Sequence, residues 1–421
     1  MNKNIRNIIA LSIIILISNT LKAQFKIDAQ LRNRAEFYDG YKKLAVEDSK
    51  PVIYNTQRTR LTLSYETKNL KLKFTPQDVR IWGDEKTNTF SGNNGDDASI
   101  DFYEAFAEIK LNHFSWLSVG RQELVFDNQS LFSNANWNQS GNSSDAIIYK
   151  LDTAGWNIQV VGSWNTLTTA NNLYSTTKYK SLNIFWLNRK FNDNLSASII
   201  HTASGVTETD TTENIKFRQT TGFYVGYKKD NITAFVDAYY QFGKSQKDLP
   251  VSAIMFDVEF AYKIKFFTPS IGLSYLSGNT KAGTDLKSDN LFDPLYRSRH
   301  GYFGGMDYFT KFASETKQGG LDNSYIGLDF KLNKKLSVKN TFHYFLLAQT
   351  NANTPTEKFL GYENDLVCKY KFNDWGVFEV GYLFYIPSES LKTIQAVTND
   401  KFSQFAYLQL TLTPNLFKQS K

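Results

Sequence analysis

The feature that most constrains this chain is a parity rule in its connections. Read in steps of two, the sequence breaks into eighteen segments in which apolar and polar residues alternate. In the first, Phe25, Ile27, Ala29 and Leu31 alternate with Lys26, Asp28, Gln30, Arg32 and Arg34. In the second, Leu61, Leu63 and Tyr65 alternate with Arg58, Arg60, Thr62, Ser64 and Glu66. A third sets Leu70, Leu72 and Phe74 against Lys71 and Lys73, and the pattern recurs to residues 401–412. Alternation of this kind marks strands, whose successive side chains point to opposite faces.

The segments are joined alternately by short and long stretches. Thr67-Lys68, Asn112-His113, Asp152-Thr153, Arg189 to Asp193, Lys229-Asp230 and the Phe372-Asn373-Asp374 region are short. Between them fall 39–51, 81–100, 123–144, 165–177, 203–214, 243–250, 277–321, 347–359 and 386–400. A soluble sandwich has no reason to sort its loops this way. A transmembrane antiparallel barrel does, with short periplasmic turns, long external loops and an even strand count. Most segments run about nine to fourteen residues, which suits a tilted membrane strand better than a soluble one. The expected fold is therefore all-β: a transmembrane β-barrel of about eighteen strands in the bacterial outer membrane.

Composition agrees. Aromatic residues make up 15% of the chain while mean hydropathy is only -0.40. Aromatic girdles on a wall whose other face is polar produce that combination. Aromatics near segment ends, among them Tyr65, Trp82, Trp116, Trp156, Trp164, Trp186, Tyr240, Phe266, Trp375 and Tyr385, are expected in those girdles. Lys3 and Arg6 precede the apolar run Ile8 to Ile17, and a small residue, Ala23, follows. Residues 1–23 therefore read as a secretory signal peptide and 24–421 as a single barrel domain. Cys368 is the sole cysteine, so neither an internal disulfide nor a thiolate cluster is available.

Eighteen strands enclose water rather than a packed interior. On the parity opposite the apolar face stand the cations Lys26, Arg32, Arg34, Arg58, Arg60, Lys71, Lys73 and Arg218. The anions there are Glu36, Glu66, Glu104, Glu108, Asp237, Asp257 and Glu259. Each taken singly is as well explained as a solvated wall charge. The clustering of arginine on the first two segments points further, because guanidinium forks suit carboxylate-bearing solutes. The net charge of +7 permits either an anion-attracting pore or contact with anionic lipid. Two long loops, 123–144 and 277–321, are too aromatic to lie in solvent and are expected to fold into the lumen as a constriction.

These loops also carry a resemblance. Gly120-Arg121-Gln122-Glu123 with Asp127-Asn128-Gln129, and Phe292-Asp293-Pro294-Leu295-Tyr296 with His300-Gly301-Tyr302-Phe303-Gly304 and Met306-Asp307-Tyr308-Phe309, resemble the alginate-export family of outer-membrane proteins. Arg58-Thr59-Arg60-Leu61 is similar to an early strand of that family. The likeness extends over most of the mature chain, though the distinctive words cover a small part of it. It implies an eighteen-stranded barrel that passes a polyuronate or related acidic sugar through an arginine-lined pore. By motif match, Arg58, Arg60, Arg121, Arg297 and Arg299 would guide the solute, and Glu123 and Asp127 would shape the constriction.

Other chemistries find little footing. No Ser sits in a Gly-x-Ser-x-Gly elbow, and His113, His201, His300 and His343 are scattered along the chain. Glu104 and Glu108 share one face of one strand at about 13 Å, too far for a glycosidase pair. Asp96, Asp97 and Asp101 with Asn93 and Asn94 could hold Ca²⁺, yet they match no established spacing and read more simply as polar loop. No catalytic residue, cofactor, metal or nucleic-acid partner is expected. The expected partners are outer-membrane lipid and an anionic saccharide or smaller anion; periplasmic delivery proteins are left open. A general porin, or a plugged adhesion barrel, is the alternative.

Overall fold

The computed structural model describes residues 23–83, 100–165, 179–208, 214–281 and 285–419. The leader at the N-terminus lies outside these residues, as do Asn93, Asn94, Asp96 and Asp97 of the cation candidate, of which only Asp101 is described.

The first six strands are β1 Gln24–Asp39, β2 Val52–Glu66, β3 Leu70–Ile81, β4 Ile100–Lys110, β5 Ser115–Gln122 and β6 Ser144–Thr153. The next six are β7 Trp156–Trp164, β8 Ser181–Lys190, β9 Leu195–Thr207, β10 Ile215–Lys229, β11 Ile232–Lys244 and β12 Pro250–Tyr262. The last are β13 Phe267–Leu276, β14 Leu321–Lys331, β15 Leu336–Leu346, β16 Phe359–Asn373, β17 Gly376–Pro387 and β18 Ser403–Leu412, followed by a short β19 at Asn415–Lys418. Among the described residues two small helices interrupt the long loops, α1 Phe312–Glu315 and α2 Glu389–Gln395.

Each strand pairs antiparallel with its neighbours in sequence, and β1 closes the ring against β18, from Leu31 opposite Leu412 to Asp39 opposite Gln404. Thr413 and Pro414 interrupt the ladder, and β19 resumes it with Lys26 opposite Lys418. The result is a closed antiparallel barrel of eighteen strands with one extra short strand. Closure satisfies every strand edge, which a sheet in hydrocarbon requires.

The outward face identifies the solvent. Ile147 is 55% exposed, Ile199 51%, Ile271 61% and Leu408 50%, all on one parity of their strands. Burying such residues is worth roughly 25 cal/mol per Å² of apolar area, so a band of them facing water would be unsustainable. Facing lipid it is the expected surface. Trp82, Trp156, Trp164, Phe266 and Trp375 are exposed near strand ends, where girdles belong. Two aromatics depart from that expectation. Trp186 is 8% exposed and Tyr385 fully buried, because both lie on the inward parity and pack beneath loops.

The inward face divides into three sectors. On β1 to β3 it is basic. On β6 to β9 it is apolar, with Ile148, Val161, Leu182, Ile184 and Ile200 all nearly inaccessible. On β11 to β16 it carries Asp237, Asp257, Glu363 and Asp365, likewise buried.

Candidate functional site

Two loops meet inside the barrel. The first, residues 123–143 between β5 and β6, starts on the apolar sector. Leu124, Phe126, Leu131 and Phe132 join the buried cluster of Ile148, Val161, Leu182 and Ile184. Phe126 lies 5.5 Å from the Trp186 ring. Asp127, held at a positive φ of 50°, accepts hydrogen bonds from Trp186 Nε1 at 3.1 Å and Ser198 Oγ at 2.6 Å. Burial raises the Asp127 carboxyl above its ordinary pKa, and those two donors oppose the shift.

The far end of the same loop crosses to the basic sector. Arg32 donates to the carbonyls of Asn136 at 2.5 Å and Asn138 at 2.8 Å and to Gln139 Oε1 at 2.9 Å. Arg34 donates to Trp137 O at 3.1 Å and lies 3.8 Å over the Trp137 ring. Arg58 reaches Asn138 O and Gln139 O, both at 3.3 Å, and Asn136 Oδ1 at 2.9 Å. Arg60 donates to Ser140 O at 3.1 Å and stacks 3.4 Å over Tyr103. Four guanidinium groups thus grip five consecutive residues of one loop, chiefly by their carbonyls.

Arg32 and Arg58 face each other directly across β1 and β2. Like charges so placed ordinarily repel; here each fork is satisfied by its own acceptors. Among the described residues only Arg34 of the four makes an ion pair, with Glu36 at 3.1 Å. Neutral carbonyls satisfy hydrogen bonds without cancelling charge. The four guanidinium groups are thus held mainly by neutral acceptors, with Glu36 in direct ion-pair contact and Glu123 close by.

The second loop, residues 277–320 between β13 and β14, meets the acidic sector. Asp237 and Asp257 oppose each other across β11 and β12. Arg297 pairs with Asp257 at 2.9 Å, both side chains at most 2% exposed. Ser130 Oγ and Asn128 Nδ2, from the first loop, each donate to Asp237 Oδ2 at 2.7 Å. On β16, Glu363 accepts the Met306 amide at 2.8 Å and Asp365 the Gly305 amide at 2.9 Å. His343 stands 3.6 Å from Asp365 and 2.9 Å from Asn323. Gly304 has φ +82°, and a Cβ there would lie 2.5 Å from the Glu363 carboxylate, so this close approach requires glycine.

The loops are also fastened to each other. The Trp137 and His300 rings stack at 3.7 Å with 2° between their planes. Phe132 stacks on Tyr296 at 5.4 Å, and the Tyr302 hydroxyl donates to Asn128 O. His300 Nδ1 lies 2.9 Å from Asp307, to which the Tyr41 hydroxyl also donates.

The residues singled out from sequence thus have different surroundings. Arg34, Arg58 and Arg60 stand together on the basic sector. Glu123 accepts from Tyr103 at 2.5 Å beside them. Arg121 lies on the parity of Val119, opposite Asp145, and forks onto that carboxylate at 2.9 and 3.0 Å. Arg297 is buried on Asp257, and Arg299 donates to Thr310 O within its own loop. Glu104 and Glu108 take lysines, Lys73 at 2.5 Å and Lys150 at 2.5 Å respectively. Sequence reading gave no role to Glu363 and Asp365, nor to Ser130 or to Asn128, which it quoted only as part of a motif. Parity could have found the first two, which alternate with Tyr362, Asn364 and Leu366. The others are loop residues whose partners lie about a hundred positions away, as in Ser130 with Asp237.

Among solved structures, this fold is similar to three proteins of Pseudomonas aeruginosa, among them the outer-membrane protein OpdK. OpdK superposes with a TM-score of 0.62 at 12% identity, over 94% of this chain and 99% of that one. OprD gives 0.62 at 12%, over 93% and 96%, and OpdL 0.61 at 10%, over 93% and 99%. At such identities the likeness concerns the barrel fold alone. Among curated proteins none matches the sequence. The family model for alginate export matches residues 23–402. That match takes in both inward loops and the basic strands, and the chain belongs to the alginate export family of outer-membrane barrels.

Proposed function

We propose that this barrel is a channel for an anionic solute, an acidic oligo- or polysaccharide of the alginate type, admitted through a lumen biased by arginine and gated by the two inward loops. The observation that carries the reading is the arginine cluster on β1 and β2, where four guanidinium groups have one carboxylate in ion-pair contact among the described residues. Arg34, Arg58 and Arg60 set the field. Glu123, Asp127, Arg297 and Arg299 fix the loops that narrow the path, and Arg121 secures the base of the first loop. An acidic polymer presents a carboxylate on each ring, so a positive stretch of wall lowers its entry barrier while neutral sugars gain nothing. Electrostatic passage of this kind needs no cofactor and no covalent step.

The test is single-channel conductance of the refolded mature protein in a planar bilayer, with oligouronate added to one side. Anion-selective steps blocked by oligouronate are expected. Steps indifferent to it would leave a general porin. OpdK has a structure with vanillate, a small carboxylate, which makes vanillate a useful second permeant. The plugged-barrel reading draws on a specific observation, the fastening of the two loops to each other and to three sectors of wall; it requires no conductance at all.

A further inference from the structure

The long loop 40–51 touches the second inward loop at one edge, where the Tyr308 hydroxyl donates to Gly40 O at 2.6 Å and Tyr41 reaches Asp307, and the rest of it is firmly built on its own. Its turn begins at Gly40, with φ +106°, where a Cβ would lie 2.6 Å from Ser403. Leu44 and Ala45 are 4% and 3% exposed, and their amides donate to Gln395 Oε1 at 2.8 Å and Ser403 Oγ at 3.0 Å. Burying this stem leaves Lys42, Lys43 and Lys50 exposed on the side of the long, external loops. Among the described residues none of the three makes an ion pair.

All three lysines line one cavity of about 570 Å³, within the range of small-ligand sites. Its walls come from loop 40–51, from Ser314 and Glu315 on α1, and from Ile394, Gln395 and Val397 at the end of α2. The acids nearby are largely occupied. Asp39 pairs with Lys401 at 3.0 Å, and Asp400 with Lys392 at 3.0 Å. The Glu315 carboxylate accepts the Lys311 amide at 2.5 Å, and burial raises its pKa. Glu47 and Asp48 share the loop but do not line the cavity. The floor is apolar and aromatic, with Leu44, Ile394 and Tyr41 nearly buried, Tyr41 stacked on Phe405 and the Lys42 ammonium 5.3 Å over its ring. A sugar ring has CH-bearing faces that such a floor covers, and an acidic sugar adds a carboxylate that exposed ammonium groups attract.

We propose that this external cavity is a docking site for the end of an acidic saccharide, held by Lys42, Lys43 and Lys50 over the Tyr41 floor, outside the channel itself. It rests on the reading that the permeant is an acidic saccharide, and it adds where that polymer is met at the external mouth. The site touches the gate: the Lys42 amide donates to Met306 O at 2.9 Å, and Met306 in turn donates to Glu363.

The experiment compares the full-length mature barrel in nanodiscs with the triple variant Lys42→Gln, Lys43→Gln, Lys50→Gln. The probe is reducing-end-labelled tetramannuronate read by fluorescence anisotropy at low salt, with maltotetraose as the neutral control. Binding weakened about tenfold or more in the triple variant, restored by the triple Lys→Arg variant, with unitary conductance unchanged, supports the site. Equal binding by the Gln variant, or equal binding of maltotetraose, overturns it. If oligouronate blocks both proteins equally from the periplasmic side while external binding is unaltered, the docking site falls and the channel reading stands. If the wild type neither binds nor is blocked, the channel reading falls and takes this site with it. A shifted band on unheated gels establishes that each variant is a closed barrel; should the triple variant fail that check, Lys43→Glu is read by the same criteria.

Discussion

The basic and acidic halves of the wall grip their loops by opposite ends of the peptide group. On β1 and β2, arginines take the carbonyls of residues 136–140. On β16, Glu363 and Asp365 take the amides of Met306 and Gly305. Each half thus reads backbone polarity, which is independent of side-chain identity. The difference lies in what remains of the charge. The acidic half receives a counter-cation, Arg297, at 2.9 Å from Asp257. The basic half receives mostly neutral acceptors, with Glu36 as the one ion-pair partner of its four arginines among the described residues. A wall can therefore anchor a loop without surrendering its field, provided the partner is a carbonyl rather than a carboxylate.

The largest expected effect breaks the compensated half. Arg297→Met leaves Asp257 buried without its partner, at a cost of about 3–5 kcal/mol. Amide exchange in residues 291–312 should accelerate by roughly two to three orders of magnitude. The double variant with Asp257→Asn should recover most of that protection. Protection unchanged in the single variant would mean that the ion pair does not hold the loop.

Next comes the uncompensated half. Arg58→Met removes hydrogen bonds from a charged donor, worth about 1.5–3 kcal/mol, and one of four positive charges. Exchange of residues 134–140 should rise, and the anion preference in reversal potential should fall. Arg58→Lys separates the two properties: selectivity is retained while the loop loosens, since a point charge lacks the fork. Selectivity lost equally in both variants would show that geometry, not field, sets it.

Trp137→Ala acts on the fastening between the halves. Loss of its stacking on His300 and beneath Arg34 should cost about 1 kcal/mol and add current noise without altering mean selectivity. Silent current traces would show that the loops do not move against each other.

The smallest effect concerns Asp127 on the apolar sector. Its folded pKa is raised, so the native state favours the protonated form. Docking of the loop should therefore be strongest below the ordinary carboxyl range, weaken as pH rises from there through the raised value, and level off above it. Asp127→Asn should flatten the pH dependence of exchange in residues 124–132; an undiminished slope would assign it to another group.

Strand number, order and the sidedness of the loops were legible because period-two alternation and loop parity are local signals. The position of Arg34, Arg58 and Arg60 on the inward face followed from the same parity. Their partners did not, because a carbonyl carries no sequence mark: residues 136–140 accept through backbone that any side chain would offer. Arg121 shows the limit of motif reasoning, since its parity follows Val119. The apolar inner sector was missed for a different reason. Ile147-Ile148, Val160-Val161 and Ile199-Ile200 are apolar on both parities, and such runs record a strand buried on two faces. Reading them that way would have located where Leu124 and Phe132 settle.

The closure of β1 against β18 has a consequence in time. The contact between Asn415 and Ile27 joins positions 388 apart, and Arg32, Arg34 and Glu36 sit on the strand that must wait for it. During synthesis and insertion one edge of β1 has no mate until nearly the whole chain has arrived. A bare edge is intolerable in hydrocarbon, so the ring must either form before it enters the lipid or borrow a strand from elsewhere until β18 displaces it. The arginine sector lies on that seam, so the strand carrying Arg32 and Arg34 gains its second neighbour only when β18 arrives, although β2 and the loop it clasps come early in the chain.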